Sequence, residues 1–108
     1  MSIMSSRNLT MMTDLYQLTM MYGYFKKGMA GNKAVFDLFF RDTKANSSYA
    51  VMAGTESIVE YINDLHFSEN DVAYLRSLNL FDESFLSVLR GLHFTGEIYA
   101  MEEGTLVY

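Results

Sequence analysis

The chain has no cysteine and no proline in its 108 residues. Without cysteine there is no disulfide framework, no thiolate metal site and no cysteine nucleophile. That composition is compatible with a reducing compartment. Proline is ordinarily about 5% of residues, so its absence is unusual, but it points to no function. Basic residues are scarce as well. Eight Lys and Arg stand against thirteen Asp and Glu, for a formal net charge of -5. No run of Lys or Arg interrupts the acidic balance, so the electrostatic footprint of a nucleic-acid binder is missing. No apolar run approaches the roughly 18–20 residues of a bilayer span. Residues 1–7 lack the basic segment and apolar block of a signal peptide. The expectation is a soluble, cytoplasmic chain with neither nucleic acid nor membrane as partner. There is no G-x-G-x-x-G or P-loop pattern, internal repeat, low-complexity tract or linker.

What is present is apolar and aromatic. Half of the residues are hydrophobic, including 8 Tyr, 8 Phe and 9 Met. Disorder needs few aromatics and high net charge, so it is excluded. The length suits one small domain with a modest core.

Residues 1–12 read as a loose lead-in and 13–108 as one incomplete domain. A first helix is expected over 13–27, with Thr13 as N-cap, Asp14 in the first turn and Gly28 as the stop. Leu15, Leu18, Tyr22 and Phe25 form one apolar stripe, and Tyr16, Met20 and Tyr24 form another. A small domain rarely surrounds a helix, so one of these faces is expected to meet a partner. Residues 33–41 read as a strand rich in Val and Phe, and 42–48 as a polar loop. A short strand follows over 49–53. Thr55 opens a helix to about Leu65, with Ile58, Val59, Ile62 and Leu65 inward. Ser68 and Asp71 carry a capping pattern before Val72, Leu75 and Leu78. Asp82 opens a last helix, with Phe85, Leu86, Leu89 and Leu92 inward. Residues 94–101 and 104–108 read as two closing strands. The order of elements is α+β rather than a βαβ alternation. A chain that stops on a strand reads as a segment of something longer.

Few residues offer chemistry. His66 and His93 each stand at a helix exit, where the dipole favours a cation, and a structural role is expected of both. Ala53-Gly54-Thr55 could seat an anion at a helix N-terminus, but a strand-to-helix turn needs glycine for geometry alone, and that reading is preferred. Asp37 lies inside an apolar run. It either faces solvent by alternation or pairs with Arg41 or a distant cation, and the sequence leaves these open. The other carboxylates read as helix starts or solvated faces. Asp14 and Tyr16 remain. A tyrosine near a helix start can stack on a flat heteroaromatic ligand. Taken by itself, the stretch reads first as an amphipathic helix with Tyr16 as core filler.

Thr13-Asp14-Leu15-Tyr16-Gln17-Leu18-Thr19-Met20 resembles the opening motif of nicotinate phosphoribosyltransferases. The resemblance extends to Val35-Phe36-Asp37-Leu38-Phe39-Phe40-Arg41, to Tyr49-Ala50-Val51 with Ala53-Gly54, and to Tyr74-Leu75-Arg76-Ser77-Leu78. It closes with Phe94-Thr95-Gly96-Glu97-Ile98-Tyr99-Ala100 and Glu103-Gly104-Thr105. The order matches, and nearly the whole chain from about Asn8 is covered. The resemblance implies part of the N-terminal α/β domain of a type II phosphoribosyltransferase, with the barrel domain missing. It implies an enzyme of NAD synthesis that joins nicotinate to phosphoribosyl pyrophosphate, giving nicotinate mononucleotide and pyrophosphate with ATP hydrolysis. It also implies a homodimer whose subunits share active sites. Magnesium, ATP and the histidine that ATP phosphorylates belong mainly to the barrel, and neither His66 nor His93 lies in a matching motif. Tyr16 is then the residue that stacks on the pyridine ring, with Asp14 beside the same site. No catalytic or metal-binding residue is expected within this chain. Two departures stand out: residues 42–48 lack the family's Pro and Gly, and Glu102 replaces a common proline. A catalytically inert folding and dimerisation module, or a relative using nicotinamide, are the alternatives.

Overall fold

In a computed structural model, which describes residues 8–41 and 48–107, the helices carry the core. The elements are α1 (Leu15–Lys26), β1 (Ala50–Val51), α2 (Thr55–Asn63), α3 (Glu69–Ser77), α4 (Glu83–Arg90) and β2 (Leu106–Val107). The domain is thus small and mixed, helix and strand.

The caps of α3 and α4 form as their sequences dictate. Ser68 Oγ accepts from Asp71 N–H at 3.1 Å, and Asp71 Oδ2 accepts from Ser68 N–H at 2.9 Å, completing a reciprocal capping box. Asp82 Oδ1 accepts from Phe85 N–H at 3.0 Å and opens α4. Between these helices Asn79 takes a left-handed φ of 58°, which asparagine tolerates better than most residues. Helix α1 closes in a Schellman motif. Gly28 sits at φ 72°, its N–H donates to the Phe25 carbonyl, and Met29 N–H donates to the Tyr24 carbonyl.

Helices α3 and α4 pack on each other. The core is Leu18, Phe67, Val72, Leu75, Phe81, Phe85, Leu86 and Leu89, with Met21, Tyr22, Phe25, Leu78 and Leu92 packed around it. Phe85 is its centre. Its ring lies 5.1 Å from Tyr22, 5.4 Å from Phe81 and 5.7 Å from Phe25, centroid to centroid. The inward residues expected of α3 and α4 are buried or half-buried. Phe67 and Phe81, which lie in connections, join them.

Several expectations are corrected. Asp14, not Thr13, is the N-cap of α1, and its side chain makes no capping bond. Gly54, at φ 97°, is the N-cap of α2 in place of Thr55, and α2 ends at Asn63. Leu15 is exposed rather than part of the inward stripe. Residues 33–41 and 94–101 form no strand. Val35 and Phe36, on opposite faces of the first run, are 92% and 90% exposed. A strand apolar on both faces needs a neighbour at its edge and a layer on each side. Among the described residues only β1 and β2 pair, antiparallel, with Ala50 opposite Val107 and Val51 opposite Leu106. The radius of gyration, 17.0 Å, exceeds the roughly 13 Å of a compact chain of this length, as two uncovered runs require. Asp37 is exposed within the first run. The expected polar loop at 42–48 lies outside the described residues apart from Ser48. Residues 8–11, expected to be loose, are anchored: Thr10 is 7% exposed and Met11 packs against the core.

Leu89→Ala in this chain is expected to cost about 2–5 kcal/mol, whereas Val35→Ala stays within about 0.5 kcal/mol, in urea unfolding followed by circular dichroism. Acid is expected to loosen the fold through Asp82. The hydrogen bond from Lys26 foremost, then those from Ser84 and the Phe85 N–H, hold its carboxyl well below the usual carboxylate range. A carboxyl depressed in the folded state stabilises above its unfolded value, about pH 3.9, and that stability is lost as pH falls through the folded one. The melting temperature should therefore drop with pH below about 4. The drop should be shallower in Asp82→Asn, with Glu83, likewise depressed by Arg76, supplying the remainder.

Candidate functional site

The first turn of α1 emerges from an anchored segment. Asn8 Oδ1 accepts from Thr10 N–H at 3.1 Å, an Asx turn. Met12 N–H donates to the Leu9 carbonyl and Thr13 N–H to the Met11 carbonyl, both at 2.9 Å. The chain then extends through Asp14, at φ -80° and ψ 148°, before turning helical at Leu15. Met11, Met12, Thr13, Asp14 and Gln17 line an open depression over this corner.

Asp14 belongs to that depression, and Tyr16 lies just past it with 57% of its surface exposed. Residues two apart around a helix start do not face the same way. Asp14 is thus in the lining of the depression, and Tyr16 is not. Tyr16 is not core filler. The core face of α1 is carried by Leu18, Met21, Tyr22 and Phe25, while Tyr16, Met20 and Tyr24 face outward in a line. The Tyr16 carbonyl accepts from Thr19 Oγ1 at 3.0 Å.

The far end of α1 is equally fixed. Lys26 Nζ meets Asp82 Oδ2 at 2.6 Å, and the Tyr22 hydroxyl donates to the same oxygen at 3.2 Å. The Lys26 ammonium also lies 5.6 Å from the Tyr22 ring centroid.

The remaining candidates take structural places. His66 Nδ1 lies 2.6 Å from the Asp64 carbonyl at the end of α2, and His93 Nδ1 lies 3.2 Å from the Gly91 carbonyl at the end of α4. Both rings thus sit against helix C-terminal carbonyls, where the dipole favours a donor. The N-terminus of α2 is occupied from within: Glu103 Oε1 accepts from Thr55 N–H at 2.6 Å. Among the described residues no group of three or more His, Asp or Glu converges as a metal site. Among the same residues no helix is long and apolar enough to cross a membrane. Sequence reading missed Asn8, Thr10, Met11 and Met12 as parts of this corner. The Asn-x-Thr spacing was the one local signal of a turn there.

Residues 11–108 match the nicotinate phosphoribosyltransferase (NAPRTase) N-terminal domain. Relatives named nicotinate phosphoribosyltransferase occur in bacteria and plants. The Mycobacterium tuberculosis protein pncB2 is 42% identical over 96 residues, covering 89% of this chain and 20% of its own length. The Bacillus subtilis protein is 43% identical over 101 residues, covering 94% of this chain and 21% of its own length. The Arabidopsis thaliana protein 1 is 35% identical over 100 residues, 91% of this chain and 18% of its own. The chain spans about a fifth of the length of these curated relatives. The match runs from the depression at Met11 through the last described strand, and the chain belongs to the family of nicotinate phosphoribosyltransferase N-terminal domains.

Proposed function

We propose that this chain is the N-terminal part of a type II phosphoribosyltransferase that makes nicotinate mononucleotide for NAD synthesis. In that reaction the pyridine nitrogen of nicotinate forms a bond to C1 of phosphoribosyl pyrophosphate. The C1–O bond breaks, and pyrophosphate leaves with the electron pair. The observation that carries this reading is the family match over 11–108, which includes the whole Thr13–Met20 stretch. ATP hydrolysis accompanies the reaction in this reading, and the protein is assigned to the cytoplasm. Magnesium and ATP belong with the portion of the enzyme outside this chain.

Tyr16 is assigned to stack on the pyridine ring, and Asp14 to border the same ligand. The reaction's demand on this part of the enzyme is positioning: the ring nitrogen must be held in line with C1 while pyrophosphate departs. An exposed phenol ring on a helix anchored at both ends can do that without acting as acid or base. The outward line of Tyr16, Met20 and Tyr24 supports a homodimer in which this face helps complete the partner's site. That same exposed apolar surface favours one other reading, in which the chain by itself is an inert folding and dimerisation module.

In the longer protein, Tyr16→Ala is expected to raise the nicotinate KM roughly two- to twelvefold, the worth of one aromatic stack, while Tyr16→Phe leaves it near the parent value. An unchanged KM in the alanine variant removes the assignment of Tyr16. Steady-state assays with nicotinate and nicotinamide side by side also decide which pyridine is used. The 108-residue chain assayed alone is expected to give no nucleotide product, and measurable turnover would place catalytic groups within it.

A further inference from the structure

The corner that carries the candidate site is held by a polar clasp with one imidazole in it. Four links join residues 8–10 to the segment from α2 to α3. The Tyr61 hydroxyl donates to the Leu9 carbonyl at 3.3 Å, and His66 N–H donates to Thr10 Oγ1 at 3.2 Å. Asn8 Nδ2 lies 3.4 Å from both His66 Nε2 and Asp71 Oδ2.

These contacts fix each proton. The Asp64 carbonyl can only accept, so His66 Nδ1, 2.6 Å away, carries the hydrogen. In the neutral ring Nε2 is then an acceptor. The Asn8 amide is oriented by Thr10, whose N–H needs Oδ1 as its acceptor. Asn8 Nδ2 is left with two hydrogens and two acceptors, the His66 ring and Asp71, which is also the capping-box acid of α3. The set is complete only while His66 is neutral. A protonated ring presents N–H to the Asn8 NH₂, donor against donor. Either that contact opens, or the Asn8 amide turns over and Thr10 loses its acceptor. Asp71 on α3 and Asp64 at the end of α2 are acids, Glu69 in the first turn of α3 is paired with Arg90, and residues 8–13 carry no charged side chain. The α2 C-terminus also favours a cation.

We propose that His66 is a pH-sensitive positioning residue: its neutral imidazole holds Asn8 and Thr10, and through them the Met11–Asp14 wall of the depression in front of Tyr16. The consequence for nicotinate rests on the reading of Tyr16 and Asp14 as the ring-binding site, whereas the clasp itself does not.

The test separates the two. The 108-residue chain is titrated from about pH 8 to pH 5, the range in which imidazoles change charge, by ¹H–¹⁵N spectra with the His66 ring signals followed in parallel. The Thr10 amide and the His66 ring should move with one common midpoint. Protection of the Thr10 amide from exchange should fall roughly two- to tenfold below it, the worth of one neutral hydrogen bond. In His66→Gln, which stays neutral, the Thr10 transition should vanish. If the His66 ring titrates while Thr10 stays still, or if Thr10 moves unchanged in His66→Gln, the clasp is overturned. The wild-type titration decides this even if the variant does not fold. In the longer protein, the nicotinate KM should rise as pH falls through the same midpoint, with kcat little altered, and the step should be absent in His66→Gln. An active enzyme with no such step overturns the positioning role. A longer protein that uses no nicotinate at any pH overturns the proposed function instead, and the clasp then stands or falls on the Thr10 titration.

Discussion

One carboxylate holds the helices in their relative places. Asp82 Oδ1 accepts from the Phe85 N–H and the Ser84 hydroxyl, so it starts α4. Its Oδ2 accepts from Lys26 and Tyr22, so it ties α1 to that same start. These two jobs meet at Phe85, the first residue after the cap to point inward and the ring on which Tyr22, Phe25 and Phe81 converge. A surface ion pair by itself contributes little. Here the charge sits on a capping group beside an aromatic cluster, so its geometry is fixed by packing that would exist without it. Aromatic pairs contribute about 0.5–1.5 kcal/mol each beyond area burial, and the carboxylate lies at the edge of that cluster through Tyr22.

That arrangement also explains what stays outside. Helices α3 and α4 reach the core because each brings a local cap and a stripe at the right spacing. The runs at 33–41 and 94–101 have strong β composition but cannot satisfy a ladder alone. The two-residue pairing of β1 with β2 is too short to supply a sheet for them. The apolar side chains of the run at 33–41 are thereby left exposed, which is unusual for a small domain.

Legibility followed the range of the interaction. The caps at Ser68 and Asp82 and the inward leucines of α3 and α4 were readable because partners stand three or four residues apart. Thr13 and Asp14 are both competent caps, and a one-residue ambiguity there is intrinsic to the sequence. Phe67 and Phe81 escaped because they lie between periodic segments, where burial depends on how helices meet. Strand composition was readable at 33–41, but pairing was not, since a ladder partner leaves no local mark. The anchoring of Asn8 and Thr10 was invisible for the same reason: their partners lie 56 to 63 residues away. At the candidate site, the types and positions of Asp14 and Tyr16 were legible from the motif they share with the family. That Asp14 lines the depression while Tyr16 does not required the helix start itself.

An exposed aromatic ring is useful for recognition only if its position is settled before the ligand arrives, because immobilising it afterwards subtracts from affinity. Helix α1 meets that condition by division of labour. Leu18, Tyr22 and Phe25 commit one side to the core, and Lys26 with the Schellman turn fixes the far end. The clasp at Asn8, Thr10 and His66 fixes the segment that leads into the near end. Tyr16 is the second residue of α1, on the side the core does not use. The backbone that carries the ring is thus fixed by contacts made elsewhere on α1, and the ring itself stays exposed. The apolar area left uncovered by Met20 and Tyr24 on the same line is then consistent with a surface whose burial is completed by association rather than by folding.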